Sequence, residues 1–200
     1  MNNLKKTIFY CLFLPFIFHL ITFLIYKKMK KGALFMKDFN MFVKKRKFQG
    51  GDCLCFVKLM TLFPEFRSIF YWRLGKIAKL VFFYMPGRTN LELYTPSNRV
   101  GGGFFVGHGW GTVVNADCIG ENFNVGQNCT IGSRNGGLPK IGNNVSCWAG
   151  TIVIGDVTIG DYTEIGSGAV VVKSVPSNAV VVPTKSKIIR IDNQRVDIPL

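Results

Sequence analysis

Ile119-Gly120, Val125-Gly126 and Ile131-Gly132 set an aliphatic residue and a glycine every six positions, and that beat decides the fold. After a break it resumes at Ile141-Gly142, Cys147, Val153, Ile159-Gly160, Ile165-Gly166 and Val171, so the pattern fills the stretch from Val100 to Val182. A period of six is neither helical nor the simple alternation of a strand; it belongs to a hexapeptide solenoid, each repeat one short strand and a turn. With three hexads to a triangular coil of about eighteen residues, the aliphatic residue points inward and stacks on its equivalents one coil above and below. Glycine lets the chain turn at the corner with no Cβ in the way. Each coil buries little alone, so the stack must be capped or must oligomerise. A β-sandwich with glycine turns would show longer alternating strands.

The net charge of +14 suggests nucleic acid until it is divided along the chain. Residues 1–47 hold eleven Lys and Arg against the single acid Asp38, a net +10, and the rest of the chain carries only +4. The excess sits beside Thr7–Tyr26, an uncharged apolar run of twenty residues interrupted by Pro15 and His19 and followed by Lys27-Lys28-Met29-Lys30-Lys31. About twenty apolar residues span a bilayer core, and a polybasic flank favours an anionic membrane surface over nucleic acid. Signal peptides have shorter apolar regions and a small-residue cleavage site, so the run reads as a retained anchor with residues 27 onward in the cytoplasm. Pro15 would kink such a helix, and a start at Met29 or Met36 would remove it.

From Lys37 to Met85 the hexads are absent. Phe56, Leu59, Met60 and Phe63 recur at helical spacing, as do Phe66, Ile69, Phe70, Trp72 and Leu74 after Pro64, with Ile77, Leu80 and Val81 after Gly75. Two or three short helices follow, their aromatic residues serving packing rather than base stacking. Pro86-Gly87 marks the change to the solenoid. The six cysteines, Cys11, Cys53, Cys55, Cys118, Cys129 and Cys147, include no CxxC pair and read as reduced thiols, several of them small fillers inside hexads. Neither a GxxxxGK[ST] loop nor a GxGxxG between strand and helix is present. The expectation is no metal and no nucleic acid.

The chemistry must lie where the repeat breaks. Of the two histidines, His108 stands on the solenoid wall in Val106-Gly107-His108-Gly109-Trp110-Gly111, where the spacing slips by one residue. Glycine on either side leaves the imidazole reachable by two substrates at once, and imidazole is the usual group for removing a proton near neutral pH.

Val106-Gly107-His108-Gly109, Gly111-Thr112-Val113-Val114, Thr130-Ile131-Gly132, Pro139-Lys140-Ile141-Gly142, Ile165-Gly166-Ser167-Gly168 and Val175-Pro176 carry a resemblance. The stretch from Val100 to Arg190 resembles the hexapeptide-repeat acyltransferases, and within them the serine acetyltransferase branch together with relatives in bacterial surface-polysaccharide synthesis. The resemblance implies a left-handed parallel β-helix, a homotrimer, acetyl-CoA in the groove between neighbouring solenoids, and His108 as general base. An upstream acid orients the imidazole in the family; Glu92 is the candidate, one residue too far from His108, and Asp117 is the other carboxylate near by. Ile131, Ala149 and Ser167 are eighteen residues apart and are expected one above another, with Ala149-Gly150 and Ser167-Gly168 lining the pantetheine arm. Lys173, Lys185 and Lys187 are candidates for the CoA phosphates.

The fold class is therefore mainly β: a solenoid over 91–190, preceded by a hydrophobic and basic segment over 1–36 and an α-helical region over 37–90, and followed by a tail over 191–200. Where serine acetyltransferases place an Asp before the catalytic His and an Arg-His pair before Pro-Lys-Ile, this chain has Gly107, Gly137 and Leu138. A free amino acid would lack its countercharges. The insertion from Ser133 to Leu138 brings Arg134 and Asn135, which with Trp110 form the candidate acceptor site. The reading is an acetyl-CoA-dependent O-acetyltransferase acting on a surface-glycan sugar or lipid-linked precursor at the cytoplasmic face of the plasma membrane. The alternatives are a serine O-acetyltransferase of cysteine biosynthesis, cytoplasmic if the anchor is absent, and a non-catalytic scaffold.

Overall fold

The computed structural model of the chain describes residues 17–29, 32–75, 78, 82–184 and 186–199. Among the described residues the chain opens with helices α1 over residues 17–28, α2 (Gly32–Lys45), α3 (Asp52–Leu62) and α4 (Pro64–Leu74). Pro64 opens α4 at a position where its missing N–H costs nothing, and Gly75 closes it with φ of 105°. Their shared core is aromatic. Phe35, Phe39, Phe42, Phe56, Phe66 and Phe70 are fully or almost fully buried, and Phe56 meets Phe66 and Phe70 edge-on.

The hexads then wind three walls. Wall A holds β1 (Leu91–Leu93), β3 (Thr112–Val114), β6 (Thr130–Gly132), β9 (Ile152–Ile154) and β12 (Val170–Val171). Wall B holds β4 (Cys118–Ile119), β7 (Lys140–Ile141) and β10 (Thr158–Ile159), extended at its ends by the single bridges Val100↔Ile119 and Ile159↔Val175. Wall C holds β2 (Phe105–Val106), β5 (Asn124–Val125), β8 (Ser146–Cys147), β11 (Glu164–Ile165) and β13 (Val180–Val181). Every pairing is parallel, and the chain passes A, B, C in turn through about five coils. This is the parallel β-solenoid expected from the period of six.

Registers show what stacks on what. Val114 pairs with Ile131, Ile131 with Val153 and Val153 with Val171; Val106, Val125, Cys147 and Ile165 form the matching column in wall C. These inward residues are at most 4 % exposed, each contributing about 1.5 to 3 kcal/mol when fully buried. The glycine after the inward residue serves close approach. A Cβ on Gly120 would lie 2.6 Å from the carbonyl carbon of Gly142 in the next coil, whereas the left-handed residue of that corner is Asn122, Asn144, Tyr162 or Asn178.

Several boundaries differ from those expected. Helix α2 straddles the division at residue 36, because Phe35, Phe39 and Phe42 form one buried stripe across it. The segment expected as a tail over 191–200 shares an element with the residues before it: β14 (Lys187–Ile191) and β15 (Gln194–Pro199) make an antiparallel hairpin across Asp192-Asn193, both at positive φ. The second half of the apolar run, α1, packs on the helical region through His19, Phe23 and Tyr26. Thr7–Phe16, the other half of the expected anchor, lies outside the described residues. Among the described residues no helix is long and apolar enough to cross a membrane.

The buried pair Arg73 and Asp38 joins helices to solenoid. Arg73 donates through Nε to Asp38 at 2.7 Å and through its two Nη groups to the carbonyls of Ser97, Val100 and Gly101. Asp38 also accepts from the Phe104 N–H at 2.7 Å. Burial pushes the Asp38 carboxyl up to about 6, with Arg73 pulling the other way.

Candidate functional site

The corner between walls C and A is built four times from similar turns, and only the first is lengthened. Four residues separate Val125 from Thr130, Cys147 from Ile152 and Ile165 from Val170; five separate Val106 from Thr112. The added residue falls in Gly107-His108-Gly109-Trp110-Gly111. Gly107 still donates to the Val125 carbonyl at 2.8 Å, keeping wall C in register, and its own carbonyl accepts from Gly109 at 2.9 Å. His108 is thus the apex of a three-residue γ-turn with φ of 66°, a rare and strained conformation for a side-chain-bearing residue. The imidazole is exposed.

The turn rests on α4. A Cβ on Gly109 would meet Val106 at 2.9 Å and Glu65 at 3.6 Å. Glu65, 2 % exposed, binds Arg46 at 3.1 Å and Arg88 at 3.0 Å, and the Arg88 guanidinium lies over the Trp110 ring at 4.2 Å. Two guanidinium groups share one carboxylate, leaving the cluster a net positive charge beneath the His108 turn, and Nε of each arginine is buried with no partner. Helical spacing identified this region as packing and gave no signal that it supports the turn. The only cue was an acidic residue, Glu65, in an apolar helix.

Glu92 sits in the middle of β1, opposite Val113 on the strand that follows the His108 turn. Leu93 pairs with inward-facing Val114, so alternation turns Glu92 outward. It lines a cavity of about 570 Å³ with Trp72, Phe82, Phe83, Arg88 and Tyr94. His108 and Glu92 thus flank adjoining strands of wall A, and no hydrogen bond joins them. Asp117 is elsewhere, at the corner between walls A and B and paired with Arg99 at 2.8 Å.

Of the residues expected to line the cofactor, Ala149-Gly150 and Ser167-Gly168 occupy the same corner as His108, two and three coils further on. Asn128 N–H donates to Trp110, Gly150 to Gln127 and Gly168 to Ala149, which ties the column together. Gly150 and Gly168 both have φ of 74°, and a Cβ on Gly168 would meet nothing within 4 Å. The column presents open backbone along one edge, a shape that suits a long, narrow ligand arm. Ile131 is not part of it: the longer Ser133–Leu138 turn puts Ile131 over Val153 and Gln127 over Ala149–Gly150.

The remaining candidates lie apart. Arg134 and Asn135 form an exposed turn bridged from Arg134 to Gly137, with Asn135-Gly136 at positive φ. That turn is at the corner between walls A and B, so within one chain a full strand of wall A separates it from the His108 corner. Lys173 is exposed at the same A–B corner. Lys187 pairs with Asp197 at 2.8 Å on the C-terminal hairpin, and Lys185 lies outside the described residues. Cys129 and Cys147 are buried in the stack, where desolvation raises both thiols; Cys118 is exposed.

A coiled wall of hexapeptide repeats with one histidine-bearing break defines a class, and comparison with known proteins narrows it. Residues 139–173 match the model "Bacterial transferase hexapeptide (six repeats)". The chain is 36 % identical over 113 residues to a serine acetyltransferase of Staphylococcus xylosus, covering 54 % of this chain and 52 % of that protein. It is 39 % identical over 93 residues to the putative colanic acid biosynthesis acetyltransferase WcaB of Escherichia coli K12, covering 44 % of this chain and 57 % of that protein. The fold matches serine acetyltransferase isoform 3 of Entamoeba histolytica, solved in complex with cysteine, with a TM-score of 0.65 at 22 % identity over 86 % of this chain and 66 % of that one. The chain spans about half the length of the curated relatives it matches. Its repeats over residues 139–173 are those of the transferase hexapeptide model, and in sequence the chain is similar both to serine acetyltransferases and to the WcaB-type acetyltransferase.

Proposed function

We propose that this protein is an acetyl-CoA-dependent O-acetyltransferase whose acceptor is a sugar hydroxyl of a surface glycan or its lipid-linked precursor. The observation that carries the acetyl transfer is the C–A corner: a strained, exposed His108 at its head and open glycine backbone at Gly150 and Gly168 behind it. His108 removes the proton from the acceptor hydroxyl as that oxygen attacks the thioester carbonyl; the carbon–sulfur bond then breaks and the proton passes to the departing thiolate. Glu92 is the positioning carboxylate on the adjoining strand. No acyl-enzyme is required.

A sugar acceptor is favoured by the missing charges. Gly107 stands directly before His108, and Gly137 and Leu138 precede Pro139, so the ammonium and carboxylate of an amino acid meet no dedicated partner at these positions. The similarity to the WcaB-type protein points the same way. Serine O-acetylation is the second reading, supported by the resemblance to serine acetyltransferases in sequence and fold. Under either reading the assembly is a homotrimer. Val170 and Val172 beside wall A and Val180 and Val182 beside wall C expose apolar side chains near the last coil, a surface that neighbouring solenoids would cover. Thiol release from acetyl-CoA, measured with L-serine and with a panel of sugars and lipid-linked glycans, tests the assignment. Efficient, saturable transfer to serine alone overturns the glycan reading.

Membrane association through the N-terminal residues, at the cytoplasmic face, is part of the same proposal, supported by the apolar run and the lysines after it.

A further inference from the structure

Helix α1 has two apolar faces, and among the described residues one is buried and the other exposed. His19, Phe23 and Tyr26, spaced four and three residues apart, are at most 9 % exposed. Phe23 stacks on Phe56 with centroids 4.2 Å apart, and the His19 ring stacks on Phe82 at 4.3 Å while its Nε2 meets the Tyr71 hydroxyl at 2.9 Å. Tyr26 donates its hydroxyl to the Arg73 carbonyl at 2.9 Å. The polar interruption His19 is therefore placed inside the domain, where it has partners. The opposite face carries Ile17, Phe18, Ile21, Leu24 and Ile25, each between 42 and 58 % exposed. Water-facing helices carry polar residues there, and an exposed apolar stripe of this kind marks an interaction surface.

We infer that α1 docks the enzyme in the plane of an anionic bilayer, its outer face sunk into one leaflet, and that the N-terminal run does not cross the membrane. The inference rests on the membrane association proposed above and changes its geometry. Length argues against crossing. With residues 17–28 held against α3 and α4, only residues 7–16 remain of the uncharged run. Ten residues reach about 15 Å as a helix, half of the roughly 30 Å hydrocarbon core, and an extended path would leave its backbone unpaired in lipid. Charge argues for lipid over a second copy of this face. Eleven basic residues against one acid in residues 1–47, with Lys28 exposed at the end of the helix beside Lys27, whose ammonium pairs with Asp52, attract anionic headgroups and repel an identical surface.

The test uses inside-out membrane vesicles from bacteria expressing the full chain with Asn3→Cys, treated with a membrane-impermeant maleimide and read site by site by peptide mass spectrometry. Exposed Cys53 serves as the reference for the outward, cytoplasmic face. In-plane docking labels position 3 as fully as Cys53 without detergent. A companion chain with Phe18→Glu, Ile21→Glu and Ile25→Glu, all on the exposed face, is expected to lose at least about tenfold in co-sedimentation with vesicles of phosphatidylcholine and phosphatidylglycerol, roughly 1.4 kcal/mol, with its thermal midpoint unchanged. Labelling at position 3 only after detergent shows a crossing segment and overturns the inference while leaving membrane association standing. Undiminished binding by the triple variant also overturns it. A wild-type chain that neither binds vesicles nor fractionates with membranes removes the membrane reading itself.

Discussion

Tyr94 and Thr95 donate their backbone N–H groups to a single acceptor, the carbonyl of Val114, at 2.9 and 3.2 Å. Both residues lie just past the end of β1, where one carbonyl of β3 takes two donors as the chain leaves wall A. Glu92, two residues earlier, is held opposite Val113 by the ladder that this carbonyl closes. If the carboxylate acts through His108 as proposed, Glu92→Gln is expected to lower kcat by about tenfold or more with KM little affected and to alter the pH profile. A Glu92→Gln enzyme with an unaltered kcat and pH profile removes the carboxylate from the mechanism.

His108 carries strain that a glycine would not. Its φ of 66° at the apex of the γ-turn suits Gly, so His108→Gly is expected to hold or raise stability by up to about 1 kcal/mol while transfer falls about a hundredfold or more. Denaturant titration and thiol release are measured on the same preparation. Loss of stability together with activity would show that the imidazole packs the corner rather than serving the reaction.

The solenoid glycines separate by the atoms they face. Gly120→Ala places a Cβ 2.6 Å from the Gly142 carbonyl carbon and 2.7 Å from the Asn143 nitrogen, backbone that cannot yield cheaply, and is expected to cost about 1 to 3 kcal/mol. Gly132→Ala has only the Thr130 methyl within reach, at 3.9 Å, and no positive φ, so it is expected to be neutral or stabilising by about 0.4 to 1 kcal/mol. Chemical denaturation of the two variants should differ in sign.

The hexad beat made the walls legible because each inward residue repeats one physical demand, contact with its equivalent in the next coil. Its position alone named His108 as the break. What escaped reading depends on groups that no period relates. Glu65, Arg46 and Arg88 come from α4, the residues just after α2 and the segment before β1, and meet only in three dimensions. Ile131 was expected over Ala149 by counting eighteen, but the hairpin at Arg134–Gly137 lengthens that coil and moves the register to Val153. The anchor reading took Thr7–Tyr26 as one apolar span interrupted by Pro15 and His19; in its described half, His19, Phe23 and Tyr26 are buried against the helical region, contacts that no local pattern announces.

The Arg73–Asp38 pair should respond unequally to loss of its two members. Arg73→Met removes bonds to Asp38 and to the carbonyls of Ser97, Val100 and Gly101 and strands a buried carboxylate, an expected cost of about 3 to 5 kcal/mol. Asp38→Asn resembles the protonated acid that burial already favours and is expected to cost less. The Asp38 carboxyl is raised in the fold from 3.8 to about 6, so the folded state holds the extra proton between those values. The stability contributed by this group is therefore fully present below about pH 4 and is lost as pH rises through about 6. Relative to Asp38→Asn, the wild-type denaturation midpoint should fall between pH 4 and pH 7. A gap between the two proteins that does not vary with pH would show that Asp38 keeps an ordinary acidity.

The cofactor assignment makes the sharpest demand on the C–A corner. Ser167 is exposed in the turn stacked on Ala149, in a column where Gly150 and Gly168 leave their backbone open. A Trp at position 167 costs the fold little and fills the space along the column, so Ser167→Trp is expected to raise the KM for acetyl-CoA by about tenfold or more, at least about 1.4 kcal/mol of lost binding. Ser177→Trp, equally exposed but at the corner between walls B and C, is the control and should leave KM unchanged. Lys187→Ala is a second control, since its ammonium pairs with Asp197 on the C-terminal hairpin. Initial rates against acetyl-CoA concentration at fixed acceptor decide among the three. An unchanged KM in Ser167→Trp would remove the pantetheine arm from this corner, and a large effect of Lys187→Ala would draw the hairpin into the cofactor site.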